Sequence, residues 1–312
     1  MSTPKHTLEE LKVGAASQAC THFIKELRSV DYESLITQLT CERMARKYKE
    51  VLHLFESVAG KNWNETFHLM LFRVLGGMDN RQAMTELSSR INSFILMRER
   101  GSIVNLEALL IGGSGLLDLY DDSDYTYRLR IEFDHLAAKY NIIPMLPGEW
   151  NLSSYYRYNH PTLRLAQIAA CIHNKEFTIQ NALSCKRRLD VYDLFNGKAS
   201  QYWIDNFAAK PQGLSINERI GQIKSDLMGI NLIVPMMLSY GNYSSNNDMV
   251  EDAMNLLEDI AAEHNRFTKP WYYAGIEPRS AFVSQALLQL AKEYCTPRRC
   301  EECPLAQHLI KV

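Results

Sequence analysis

Along almost the whole chain apolar residues recur every three or four positions, and no stretch alternates apolar with polar residues in the β-branched manner of a strand. That period commits the fold to the all-α class, an irregular array of packed α-hairpins closed by a C-terminal cysteine knuckle. At 312 residues the chain is long enough to bury a substantial core. The organisation expected is a single helical domain over 1–312, with a possible sub-domain boundary near 208–214, where Pro211-Gln212-Gly213 interrupts the pattern.

Helix punctuation refines this. A first short helix is expected over 18–28. Asp31 is placed to cap a long one carrying Leu35, Ile36, Leu39, Met44, Val51 and Phe55 on one side, and Gly60 is placed to stop it. Asn62 opens the next helix and Gly76-Gly77 breaks it. Pro161 sits at a helix start, where its missing N–H costs nothing. Residues 215–240 are expected to be helical, apolar on all sides from Leu232 to Leu238, which predicts burial, and Pro235 predicts a kink or break there. Asp248 is placed to cap a helix running to Glu263.

Charge and hydropathy exclude several function classes. Thirty-four basic and thirty-six acidic residues leave a formal charge of -2, so no global field draws the chain to nucleic acid or an anionic membrane. No apolar run approaches the roughly 18–20 residues of a membrane span, so no membrane partner is expected. The N-terminus carries acidic residues where a signal peptide would be apolar, and the expected localisation is cytoplasmic. In that reducing compartment Cys20, Cys41, Cys171 and Cys185, each isolated in a helical pattern, read as buried thiols.

The other three of the seven cysteines fall together in Cys295-Thr-Pro-Arg-Arg-Cys300-Glu-Glu-Cys303, directly after an amphipathic helix from Ser280 to Tyr294. Thiolates at the spacing of Cys300 and Cys303 reach one metal ion from a single turn, and Cys295 is near enough to be a third ligand. Three ligands are one too few for a closed structural site. His308 is the nearest fourth candidate, and it qualifies only if the last turn unwinds, because a helix would point it about 140° away from Cys303. Zinc, an iron–sulfur cluster and no metal at all remain open as cofactor readings.

Other constellations are weaker. Glu65 with His68, and Glu132 with His135, form two Glu-x-x-His pairs that a di-metal bundle would use with further carboxylates such as Glu107; surface pairing or capping is the bland alternative. The glycine-rich stretch Gly112-Gly113-Ser114-Gly115 lacks the lysine of a phosphate loop and a preceding strand, so it reads as a place of close helix approach. The loop Ser153-Ser-Tyr-Tyr-Arg-Tyr-Asn-His160 combines aromatic rings with Arg157 and His160, a set that serves packing or base stacking. Arg298 and Arg299 beside the knuckle, and the run Lys186, Arg187 and Arg188, are candidate phosphate contacts, with a solvated face as the alternative.

Two resemblances follow from these residues. Ser284 to Leu305, with its helix and three cysteines, is similar to the iron–sulfur segment of endonuclease III-type DNA glycosylases, whose pattern is C-x6-C-x2-C-x5-C. Here the first gap is four, Leu309 stands at the fourth cysteine, and the glycosylase hairpin and its aspartate have no match upstream, so that activity is not implied. Trp63-Asn-Glu-Thr-Phe67, Asn105 to Gly115, His160 to Ile168 and Ser284 to Leu290 with the knuckle resemble the uncharacterised bacterial family called domain of unknown function 2851. That resemblance names no activity, and it implies a short form lacking an N-terminal region. The function read from the sequence is a non-enzymatic binding or scaffold module. The alternative is a nucleic-acid binding or processing module with a metal site, so the partner is left as nucleic acid or another protein.

Overall fold

The computed structural model describes Cys20 and residues 24–152, 159–207 and 217–309. These residues are helical with no strand among them, as the period requires. They form two compact units. The first combines residues up to Glu50 with those from Leu238 onward, and the second is the continuous segment Val51–Met237 between them. The tyrosine-rich residues 153–158 and the expected boundary at 208–214 lie outside the described residues.

Polar caps set most helix starts. Asn62 accepts from the N–H groups of Asn64 and Glu65 and opens Trp63–Leu75. Asn92, Ser102, Thr178 and Ser280 do the same for Ser93–Glu99, Ile103–Glu107, Ile179–Leu183 and Ala281–Gln289. Each satisfies a donor that the first turn cannot pair internally. Two of the expected caps move. The long helix runs Ser29–Ser57, so Asp31 lies inside its first turn and pairs with Arg28 at 2.7 Å. Asn246, rather than Asp248, caps Asn247–Asp259, because its side chain reaches the Met249 N–H.

In the second unit Trp63–Leu75 and Arg81–Arg90 pack as an α-hairpin, and Ile103–Glu107 packs on both Asp124–Tyr140 and Pro161–His173. The glycine-rich stretch is a place of close approach. A Cβ on Gly112 would lie 2.5 Å from the Phe133 ring, and Gly115 adopts φ +72° with the Met145 carbonyl against it. Immediately before it, residues Ala108–Gly112 wind as a π-helix. A second π segment, Gly229–Ile233, ends just before Pro235, and the chain stays helical from Gln222 to Tyr243 with no break. The wider turn absorbs the proline whose ring and missing N–H would otherwise disrupt the ladder.

A carboxyl organises the core beside the first π segment. Glu107 is fully buried and accepts from Tyr125 Oη at 2.5 Å, from Ser200 Oγ and from Trp203 Nε1 at 2.9 Å. Burial raises its pKa, and the three donors only partly offset that. A carboxyl with a raised folded pKa loses stability as pH climbs from the unfolded value of about 4.3 towards the folded one. Glu107→Ala should cost about 3 kcal/mol, since it strands the buried Trp203 N–H and two hydroxyls. Glu107→Gln should cost less and should remove the fall in stability over that pH window; urea denaturation at several pH values measures both. Gly112→Ala should destabilise by about 1–3 kcal/mol by driving a methyl into the Phe133 ring, read in the same assay.

Candidate functional site

The first unit brings together more than the sequence spacing indicates. Cys20, Cys295, Cys300 and Cys303 line one small cavity, completed by Tyr294, Leu305 and Ala306. Cys20 is therefore not an isolated thiol, since it lines the same cavity as the three knuckle cysteines. Of the other three cysteines expected to be lone buried thiols, Cys171 and Cys185 are buried as expected, but Cys41 is exposed.

The route to the cavity is local. Ser280 caps Ala281–Gln289, and the helix widens into a π segment, Leu290–Cys295, whose last residue is the first knuckle cysteine. Arg298 takes φ +57° to reverse the chain, Cys300–Glu302 makes a 3-10 turn, and Pro304–Leu309 is a final short helix. Backbone N–H groups of Leu305 and Ala306 face the Cys303 sulfur and favour its thiolate, although burial is the larger influence and raises that thiol. Cys20, Cys300 and Cys303 share an apolar cluster with Leu35, Leu39, Trp271, Leu287 and Leu290.

A row of polar contacts fixes the continuous helix of Ala281–Gln289 and Leu290–Cys295 against Ser29–Ser57. Thr40 Oγ1 donates to the Phe282 carbonyl at 2.9 Å, and Arg43 Nε donates to Gln285 Oε1 at 2.6 Å. Arg46 pairs with Glu293 at 2.5 Å and also reaches Gln289. Glu42 accepts from Gln289 at 3.2 Å and from the Tyr294 hydroxyl at 2.8 Å, directly beside the cavity.

The sulfurs sense one another. Burial pushes the Cys20 thiol up to about 11, with the Cys303 and Cys300 sulfurs adding to it. Burial likewise raises Cys295, with contributions from Cys303, Cys20 and Cys300. Burial in this apolar pocket thus favours the neutral thiol at Cys20, Cys295 and Cys303. Among the described residues no three His, Cys, Asp or Glu side chains are already set to hold a metal ion. The nearness of the four sulfurs is carried by the cavity they share. The cavity's free space is about 20 Å³, where a single water needs about 10–15 Å³.

The remaining candidates are placed differently. His308 is exposed on the last helix and does not line the cavity. Arg298 and Arg299 are exposed, and Arg299 is paired with Glu302. Lys186, Arg187 and Arg188 belong to the second unit. Asp190 accepts from the backbone N–H groups of Lys186 and Arg187 at 2.9 Å and pairs with the Arg187 side chain, while Arg188 grips Asp226 with two 2.7 Å hydrogen bonds. Glu65 accepts from the Ser93 N–H and His68 bonds the Ser88 carbonyl, while His135 is exposed. The Glu-x-x-His pairs are thus not drawn to one point.

Among the described residues no helix is long and apolar enough to cross a membrane. No curated protein and no solved structure matches the chain, so the likeness of 284–305 to the glycosylase segment stands on those residues alone. A family model described as protein of unknown function (DUF2851) matches residues 2–266, which includes Cys20 and stops short of the knuckle. The chain belongs to that family.

Proposed function

We propose that the protein is a non-enzymatic binding module whose first unit is closed by a metal ion held on Cys20, Cys295, Cys300 and Cys303. The observation that carries this reading is the convergence of four thiols from two distant segments on one cavity. Four soft thiolates suit tetrahedral Zn²⁺, and a space little larger than one water suits one ion better than a cluster of four irons. The ion's part is structural, since four protein ligands leave no open position for substrate. An iron–sulfur cluster on the same thiols is the rival, favoured by the helix-then-cysteines likeness of 284–305. Thiols kept reduced for a metal suit a cytoplasmic location.

The binding role is supported by how the other reactive groups are spent. Burial lifts the Cys171 and Cys185 thiols to about 12, which makes them poor nucleophiles. Glu107 and His68 are committed to buried structural hydrogen bonds. Nucleic acid is the less favoured partner, because Arg187, Arg188 and Arg299 are already paired with Asp190, Asp226 and Glu302.

Anaerobically purified protein should carry one zinc per chain and be colourless; a brown preparation with iron would transfer the same four ligands to a cluster. Cys20→Ser should lose metal and lower the thermal midpoint as much as Cys303→Ser does, whereas Cys41→Ser and His308→Ala should change neither. Full metal content in Cys20→Ser would sink the four-thiol site. The four sulfurs must shed protons to bind, so metal retention should fall steadily as pH is lowered, followed by dialysis and metal analysis. A mobility-shift titration at low salt should show no retention of duplex or single-stranded DNA.

A further inference from the structure

Among the described residues of the second unit, the buried Arg164 and the half-buried Lys224 meet no carboxylate. Arg164, in the first turns of Pro161–His173, is 8% exposed. Its two terminal nitrogens donate to the neutral amide oxygens of Gln167 at 2.7 Å and Asn159 at 2.9 Å, and its Nε is buried with no partner. Gln167 is held in place by donating to the carbonyls of Asn217 and Arg219, both at 3.0 Å, so its oxygen is fixed towards the guanidinium. Lys224 enters from the Gln222–Met228 helix and donates to the Leu75 carbonyl at 2.9 Å and more weakly to that of Val74. Every acceptor named is neutral.

Arg164 Nη2 reaches back to Asn159, so the guanidinium lies over the N-terminus of its own 13-residue helix. That terminus has no side-chain cap: His160 occupies the position and makes no capping bond. Its Nδ1 is buried and unpartnered too, while its ring stands edge-on to Phe207 with centroids 5.7 Å apart. Two of the three buried side-chain polar atoms left without a partner among the described residues therefore sit at this one place. First-turn N–H groups cannot pair within the helix, and the helix dipole is positive here.

Burial alone draws the Arg164 guanidinium down to about 10. Lys224 is drawn to about 7, by burial first and then by the Arg164 charge, so the two cations lie within electrostatic reach. Among the described residues no carboxylate pairs with either. Elsewhere in this unit the half-buried Arg188 has its Asp226, and the contrast is what needs explaining. Uncompensated buried charge is among the costliest arrangements a fold can keep.

We propose that Arg164, Lys224, His160 and the N-terminus of Pro161–His173 form a binding site for a phosphoryl dianion, either inorganic phosphate or the phosphate of a monoester. Two cations match a doubly negative oxyanion, so the filled site is neutral. Arg164 Nε and His160 Nδ1, as its N–H tautomer, supply donors left without a partner, beside a helix N-terminus that favours negative charge. A singly charged carboxylate would leave one positive charge buried. The site lies in the second unit and does not depend on the metal proposed for the first.

The test uses the full chain with its thiols reduced. Thermal midpoints are measured in inorganic phosphate, in acetate and in chloride at one ionic strength, and phosphate affinity is measured by calorimetry. Phosphate should raise the midpoint by about 5 °C at saturating concentration, with acetate no better than chloride. Lys224→Met should weaken phosphate binding by roughly 100-fold. The variant's response to phosphate is read against its own midpoint in phosphate-free buffer, because Met also removes the donor to the Leu75 and Val74 carbonyls. A wild-type response to phosphate no larger than to chloride overturns the site without reference to any variant. Equal responses to acetate and phosphate, or an intact phosphate response in Lys224→Met, overturn it as well. A phosphate monoester binding tighter than inorganic phosphate assigns the site to an esterified ligand, and the reverse assigns it to the free ion.

Discussion

The first unit depends on the register between its long N-terminal helix and the helix that ends at Cys295. Gln285 is fully buried and Gln289 nearly so, and a buried amide must find partners. They find them in Arg43, Glu263, Arg46 and Glu42. Slippage by one turn would move Cys295 by about 5.4 Å and strand both amides. The same contacts place Tyr294, tied to Glu42, on the wall of the thiol cavity. Position of the knuckle is thus set by polar specificity along the helix rather than by apolar packing alone, which would tolerate a shift.

The class, most helix boundaries and the knuckle were legible in the sequence because they are local. Asn62, Ser280 and the 3.6 period act over one or two turns, and so does the spacing of Cys300 and Cys303. Cys20 was not legible as a partner. A lone cysteine on a helical pattern has the same signature whether it faces leucine or three other thiols, and only the closure of the chain separates the cases. His308 attracted attention for the opposite reason, being near in sequence while its helix turns it to solvent. At Pro235 the irregularity expected takes the form of a π turn just before the proline, which apolar periodicity does not announce. The two-unit division was hidden as well, because it falls inside two helices, at Glu50 and Met237, with no loop to mark it.

Buried charge is treated in two ways in the second unit. Glu107 is surrounded by three donors and Arg188 is matched by Asp226, so each is a closed account of hydrogen bonds. Arg164 and Lys224 face only neutral oxygens, and their guanidinium and ammonium repel one another. Sequence reading passed over both, because Arg164 sits in an ordinary amphipathic helix and Lys224 on a short one. The basic residues that do cluster in sequence, at 186–188 and 298–299, are the ones largely paired or exposed. Clustering along the chain is a poor guide to where positive charge is left over.

The first unit is made of two separated pieces of chain with the whole second unit between them. Vectorial synthesis therefore imposes an order. The ribosome releases Cys20 early and completes Val51–Met237 before any knuckle cysteine exists, and at the usual rates of elongation the interval from Met237 to Cys303 is on the order of ten seconds. The second unit has that time to fold while the N-terminal helix waits with its seam unfilled and its thiol unmatched. The first unit is then assembled last, and only on a chain that has been translated through Cys303.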